Sequence, residues 1–220
     1  MAMFHRHHHY YFAILLSTIF LSHLHSTQAV DFCVADLTSH TTTGYTCKNP
    51  ATVTADDFVL TALARGGNTS TNINKFAAVP GFVQQLPGLN GLGLAIQRAD
   101  IEPGGAIPLH THPAASEMIY VVEGSITAGF ISGEPANVVY VKKLNKGEVM
   151  VFPQGLLHFQ ANTGKEHAMG IASYSDSEPG VQLVSAALFG NDFPSFLVEK
   201  TTNIDEAEVK KLKALLGGSG

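Results

Sequence analysis

Between about residue 92 and residue 187, apolar and polar positions alternate in short runs separated by Gly, Pro and Asn. Gly91-Leu92-Gly93-Leu94-Ala95-Ile96, Met118-Ile119-Tyr120-Val121-Val122 and Glu148-Val149-Met150-Val151-Phe152 are examples. A period of two marks strands with one buried face, and many short strands at regular spacing predict an all-β sandwich or barrel of the jelly-roll type. After Asn203 the period lengthens: Val209, Leu212 and Leu216 recur at three- and four-residue intervals, with Lys210, Lys211 and Lys213 between them and Gly217-Gly218 behind. That is a helix with one apolar face, which either packs on its own barrel or clasps a neighbouring subunit. Ahead of the alternating region, residues 30–85 read as an arm. Within it Thr54, followed by Asp56 and Asp57, predicts a short capped helix. The expected layout is therefore an arm (30–85), one barrel (86–190) and a C-terminal helical extension (191–220), with no internal repeat.

Residues 1–29 carry a different signal. Arg6 precedes a short apolar run, Tyr11 to Leu21, and Thr27-Gln28-Ala29 offers small residues for cleavage. This is the order of a secretory signal peptide, and the run stops short of the roughly 20 apolar residues that a bilayer demands. The histidines at positions 5 and 7–9 would leave with it. What remains has 12 basic and 18 acidic side chains, a net charge of −6, which argues against a nucleic-acid partner. Export also changes how the two cysteines read. Cys33 and Cys47 lie close together, and in an oxidising compartment they most simply pair, whereas a reactive or metal-binding thiol pair suits a reducing one. Closing so short a loop stabilises by about 3 kcal/mol through chain entropy. Asn68-Thr69-Ser70 is an N-glycosylation acceptor triplet in a polar, Gly-flanked stretch.

Candidate chemistry comes from the histidines. Beyond the signal segment there are five: His40, His110, His112, His158 and His167. His110-Thr111-His112 puts two imidazoles on one face of a strand, Glu117 follows past a turn marked by Pro113, and His158 comes behind Pro153-Gln154-Gly155. Three neutral nitrogen donors and one carboxylate suit Mn, Fe, Zn, Cu or Ni. An ion favouring about six donors keeps about two positions for water or substrate, the property that separates catalytic from structural sites. By strand parity Gln160 and Asn162 share the face of His158, where they either shape the surroundings of the site or satisfy buried backbone. His40 and His167 lack an acid at ligand-like spacing and read as surface residues.

The two stretches Gly104-x5-His110-x-His112-x4-Glu117-x6-Gly124 and Gly147-x5-Pro153-x-Gly155-x2-His158-x3-Asn162 match the two cupin motifs at every position. Asp31 to Leu37, Gly67 to Thr71 and the His110-Thr111-His112-Pro113 run resemble germins and germin-like proteins. Met150 to Gln160 and Ala187 to Asp192 resemble the branch that includes auxin-binding germin-like proteins. The resemblance implies a cupin jelly roll that is apoplastic, glycosylated and Mn2+-containing, with His110, His112, Glu117 and His158 as ligands and a homo-hexamer, a trimer of dimers, as the assembly. It implies superoxide dismutation as the leading activity, with binding of auxin or another small carboxylate as the alternative. True germins oxidise oxalate and carry asparagines at two pocket positions that correspond here to Gln97 and Ile107. An isoleucine donates no hydrogen bond to a dianion, so oxalate oxidation is disfavoured.

Overall fold

The computed structural model describes residues 31–71 and 73–220. The expected signal peptide lies outside them. The compact unit runs from Cys33 to Gly220 and is built from two antiparallel five-stranded sheets. A small hairpin comes first, strands β1 (Ala35–Thr41) and β2 (Gly44–Cys47), closed at its open end by the Cys33–Cys47 disulfide. One sheet has the order β3 (Phe76–Gly81), β4 (Ala95–Ile101), β11 (Ala168–Tyr174), β6 (Glu117–Glu123) and β9 (Val149–Phe152). Facing it is the sheet of β12 (Gln182–Leu183), β5 (Ala106–Thr111), β10 (His158–Ala161), β7 (Ser125–Ile131) and β8 (Val139–Asn145). Apart from β3–β4 and β7–β8, neighbours in each sheet are not consecutive in sequence, the crossed connectivity of a jelly roll. Helices α1 (Val184–Phe189), α2 (Ser195–Thr202) and α3 (Glu206–Leu216) follow.

The core fills the space between the sheets by parity. In β6 Glu117, Ile119 and Val121 are buried while Met118 and Tyr120 are exposed, and in β11 Ala168, Gly170, Ala172 and Tyr174 point inward. Ile101, Ile119, Val121, Ile126, Leu144 and Phe152, each at most 2 % exposed, form its centre. Burying a side chain of this size stabilises by about 1.5–3 kcal/mol. Gly124 joins β6 to β7 at φ +68°, with an added Cβ only 2.5 Å from the His167 carbonyl, so no other residue fits that corner.

Three local readings change. Phe76–Gly81, inside the segment expected as arm, is the edge strand of the first sheet; Pro80 is tolerated there because an edge strand leaves alternate N–H groups unpaired. Gly91–Leu94 is a turn, and the strand begins at Ala95. Lys213 is buried within the helix expected to show it to solvent, and its ammonium donates to the carbonyls of Asn191, Phe193 and Ser219. The apolar face of α3 packs inside this chain, Val209 meeting Phe189 and Val198 of the other two helices. The arm's short helix is a 3-10 turn, Ala55–Phe58, begun by the Thr54 N–H donating to Asp57 at 2.8 Å. Asn68 is exposed in a turn held by its side-chain amide oxygen, which accepts from the Ser70 N–H at 3.0 Å.

Candidate metal centre

The two histidine stretches meet between the sheets. In the β5–β10 ladder His110 lies directly opposite His158, and their rings approach to 4.1 Å between centroids. His112 sits one residue past the end of β5, where its carbonyl accepts from the N–H of Gly155, a residue in the left-handed region that turns the chain toward β10. Glu117 enters from the opposite sheet at the start of β6, one strand away from Tyr174. All four side chains are at most 5 % exposed.

What turns these rings inward is the backbone. His110 Nδ1–H donates to the Pro108 carbonyl at 2.8 Å, His158 Nδ1–H to the Leu156 carbonyl at 2.8 Å, and His112 Nδ1–H to the Gly180 carbonyl. A carbonyl only accepts, so in each ring Nδ1 carries the proton and the neutral imidazole presents a lone pair at Nε2. Those three nitrogens lie 4.0, 3.0 and 3.2 Å from Glu117 Oε2 for His110, His112 and His158. The four donor atoms fall within 4.8 Å of one another. Lone pairs facing a carboxylate across such distances are held together by a positive charge among them, whether protons on Nε2 or a metal ion, and three nitrogens with one oxygen suit a divalent transition metal. The donor set therefore fits the metal that the sequence predicts.

The electrostatics agree. Burial opposes ionisation of Glu117, but hydrogen bonds with His112 and His158 outweigh it and hold its pKa at about 2. Burial, and the proximity of His158, push His110 down to about 4. Glu117 thus stays ionised and His110 neutral until the medium is strongly acidic, the states in which each ligates. Gln160, fully buried, donates from Nε2 to Glu117 Oε1 at 2.9 Å, fixing the carboxylate with Oε2 toward the histidines. Its own Oε1 has no hydrogen-bond partner and borders the adjoining cavity.

That cavity measures about 160 Å³. Gln97 and Ile107 both line it, as expected, and so do Phe76, Phe82, Val181, Leu183 and Tyr174, which the sequence pattern left unread. Inward parity of β11 from Ala168 would have found Tyr174; the others reach the cavity from an edge strand and from loops, where no periodicity announces them. Asn162 takes the second of its two readings. The strand ends at Ala161, and the Asn162 amide donates to the carbonyls of Ile101 and Glu166 instead of lining the cavity. His40 is exposed as read, near Glu178, but His167 is half-buried with Nε2 3.4 Å from the buried Asp100.

Comparison with known proteins gives this geometry a family. A cupin family model matches residues 63–210. The chain belongs to the cupin family, among its germin-like proteins. It is 55 % identical over 190 residues to germin-like protein subfamily 3 member 3 of Arabidopsis thaliana, covering 86 % of this chain and 89 % of that one. To auxin-binding protein ABP19a of Prunus persica it is 52 % identical over 190 residues, with coverages of 86 % and 90 %. Among solved structures, an oxalate oxidase superposes on this germin-like chain with a TM-score of 0.81 at 34 % identity, covering 84 % of this chain and 94 % of that one. No helix among the described residues is long and apolar enough to cross a membrane.

Proposed function

We propose that this germin-like protein is a secreted manganese protein of the plant apoplast that dismutes superoxide. One observation carries the reading: the four buried donors meet at the edge of a cavity, so a cation held by them keeps a side open to small molecules. A bound manganese ion supplies one-electron chemistry, by which two superoxide anions and two protons become dioxygen and hydrogen peroxide. The chain's own residues do the rest. His110, His112 and His158 are locked as neutral donors by three carbonyls, Glu117 offsets part of the metal's charge, and Gln160 keeps that carboxylate in one orientation. Residues 1–29 supply the export signal and Asn68 a glycan site. The exposed Val139, Tyr140, Val141, Val149 and Val151 support assembly into a homo-hexamer, the surface to be tested by sedimentation.

The walls favour a second reading. Phe82, Ile107, Val181 and Leu183 are apolar, which suits a carboxylate with an apolar body, its charge at the metal. The name of the Prunus persica relative, an auxin-binding protein, points the same way. Oxalate suits these walls less: it carries two charges, and Ile107 gives its second carboxylate no donor. The deciding experiment is metal analysis of protein secreted from a plant host, then turnover of superoxide and oxalate by the same sample and by His110→Ala. Manganese near one per chain, with superoxide turnover that the variant loses, is the expected result. Turnover that survives loss of the metal overturns the mechanism, and zinc with saturable binding of an aromatic acid supports the second reading in its place.

A further inference from the structure

Tyr174 closes the inward face of β11 after three small residues, Ala168, Gly170 and Ala172. The space there is already filled from the neighbouring strand: a Cβ on Gly170 would lie 3.0 Å from Ile119. Tyr174 is thus the one large side chain that this strand sends into the barrel, and it stands beside Glu117 in the register. Its ring packs edge-on against His112, with centroids 4.8 Å apart, and against Phe82 at 5.7 Å. Both contacts would be made equally by phenylalanine. What tyrosine adds is a hydroxyl, in a residue only 3 % exposed, on the wall of the cavity, and with no hydrogen-bond partner among the described residues. On the wall of the cavity that hydroxyl is open to an acceptor that enters there. A phenol hydroxyl can donate to such an acceptor.

We propose that Tyr174 is the hydrogen-bond donor that selects the ligand of this cavity, a monocarboxylate with one oxygen directed to the metal, the other accepting from the phenol, and an apolar body against Phe82 and Ile107. The inference rests on the carboxylate-binding reading above and assigns it a specificity residue. Tyr174→Phe keeps the ring that abuts His112 and removes only the donor.

The test uses the full secreted chain loaded with zinc, so that redox turnover is not the readout, with benzoate as the probe in calorimetric titration. Tyr174→Phe should retain one zinc per chain and bind benzoate about tenfold or more weakly, the usual loss when a hydrogen bond to a charged acceptor is removed. Equal affinity in the two proteins overturns the role of Tyr174 and leaves carboxylate binding standing. Loss of zinc by the variant also overturns it, since the hydroxyl would then be serving the metal site and not the ligand. No benzoate binding by the wild type overturns the carboxylate reading and this inference together.

Discussion

Two buried carboxylates lie on opposite faces of one sheet, and their surroundings could hardly differ more. Glu117 points into the barrel and meets three imidazoles whose other nitrogens are already committed to carbonyls. Asp100 points outward beneath the arm and meets a guanidinium: Arg98 donates from Nε at 2.9 Å and from the NH2 nitrogen at 2.8 Å, the Gly67 N–H adds a bond at 3.2 Å, and His167 stands at 3.4 Å. Arg98 also donates to the Leu63 carbonyl, so the pair fastens the arm to β4. The second cluster is complete, with a permanent cation and donors to both carboxylate oxygens. The first lacks a permanent cation and opens on a cavity. A buried acid paired with arginine is a structural clamp, whereas one ringed by neutral imidazoles is a place for something that arrives from outside.

The comparison breaks most sharply at Glu117. Glu117→Gln keeps the shape and the contact with Gln160 but removes the negative charge and a ligand. Metal affinity should fall more than about 100-fold, since changes merely around a metal ligand already cost 10–100-fold. Competition against a chelator, with metal content by mass spectrometry, measures it; affinity within a few-fold of wild type would refute the site. The mirror experiment is Arg98→Leu. It strands Asp100, 2 % exposed, without its cation, and should cost about 3–5 kcal/mol in urea unfolding while metal content stays unchanged. Adding Asp100→Leu should recover most of that loss. If Arg98→Leu empties the metal site instead, the two clusters are not independent and the contrast fails.

How much of this was legible in the chain follows from the range of the signals. His110, His112, Glu117 and His158 sit in two short motifs, and each motif fixes its own turn and strand, so their convergence required only that the two strands pair. Gln160 followed by parity from His158. Parity could not choose for Asn162, because the strand stops one residue earlier and the amide turns to buried carbonyls. The Asp100 clamp was not legible: its partners come from Leu63, Gly67 and His167, far apart in sequence, and nothing local distinguishes Arg98 and Asp100 from a solvated pair. Nor did Phe76–Gly81 read as a strand, with Pro80 inside it, until the sheet placed it at an edge. The expectations that held are those written within about ten residues; the cavity walls and the clamp are products of tertiary assembly.

Acid separates the two clusters more gently. In metal-free protein His110 has its pKa depressed to about 4, chiefly by burial, against an ordinary value of 6.5. Between those values the unfolded chain binds more protons than the folded one, so folding stability falls as pH drops from about 6.5 toward 4 and is unaffected by this residue above that window. Glu117, held at about 2 against 4.5, adds a second loss with the same sign at lower pH. The unfolding free energy of the metal-free protein, measured in urea, should therefore decline in two overlapping steps, by about a few kcal/mol at most. His110→Gln should remove the upper step and leave the lower one. A variant whose midpoint falls as steeply as wild type between pH 6.5 and 4 would move the proton uptake to another residue, and the account of His110 as a ring kept neutral by its burial would have to be withdrawn.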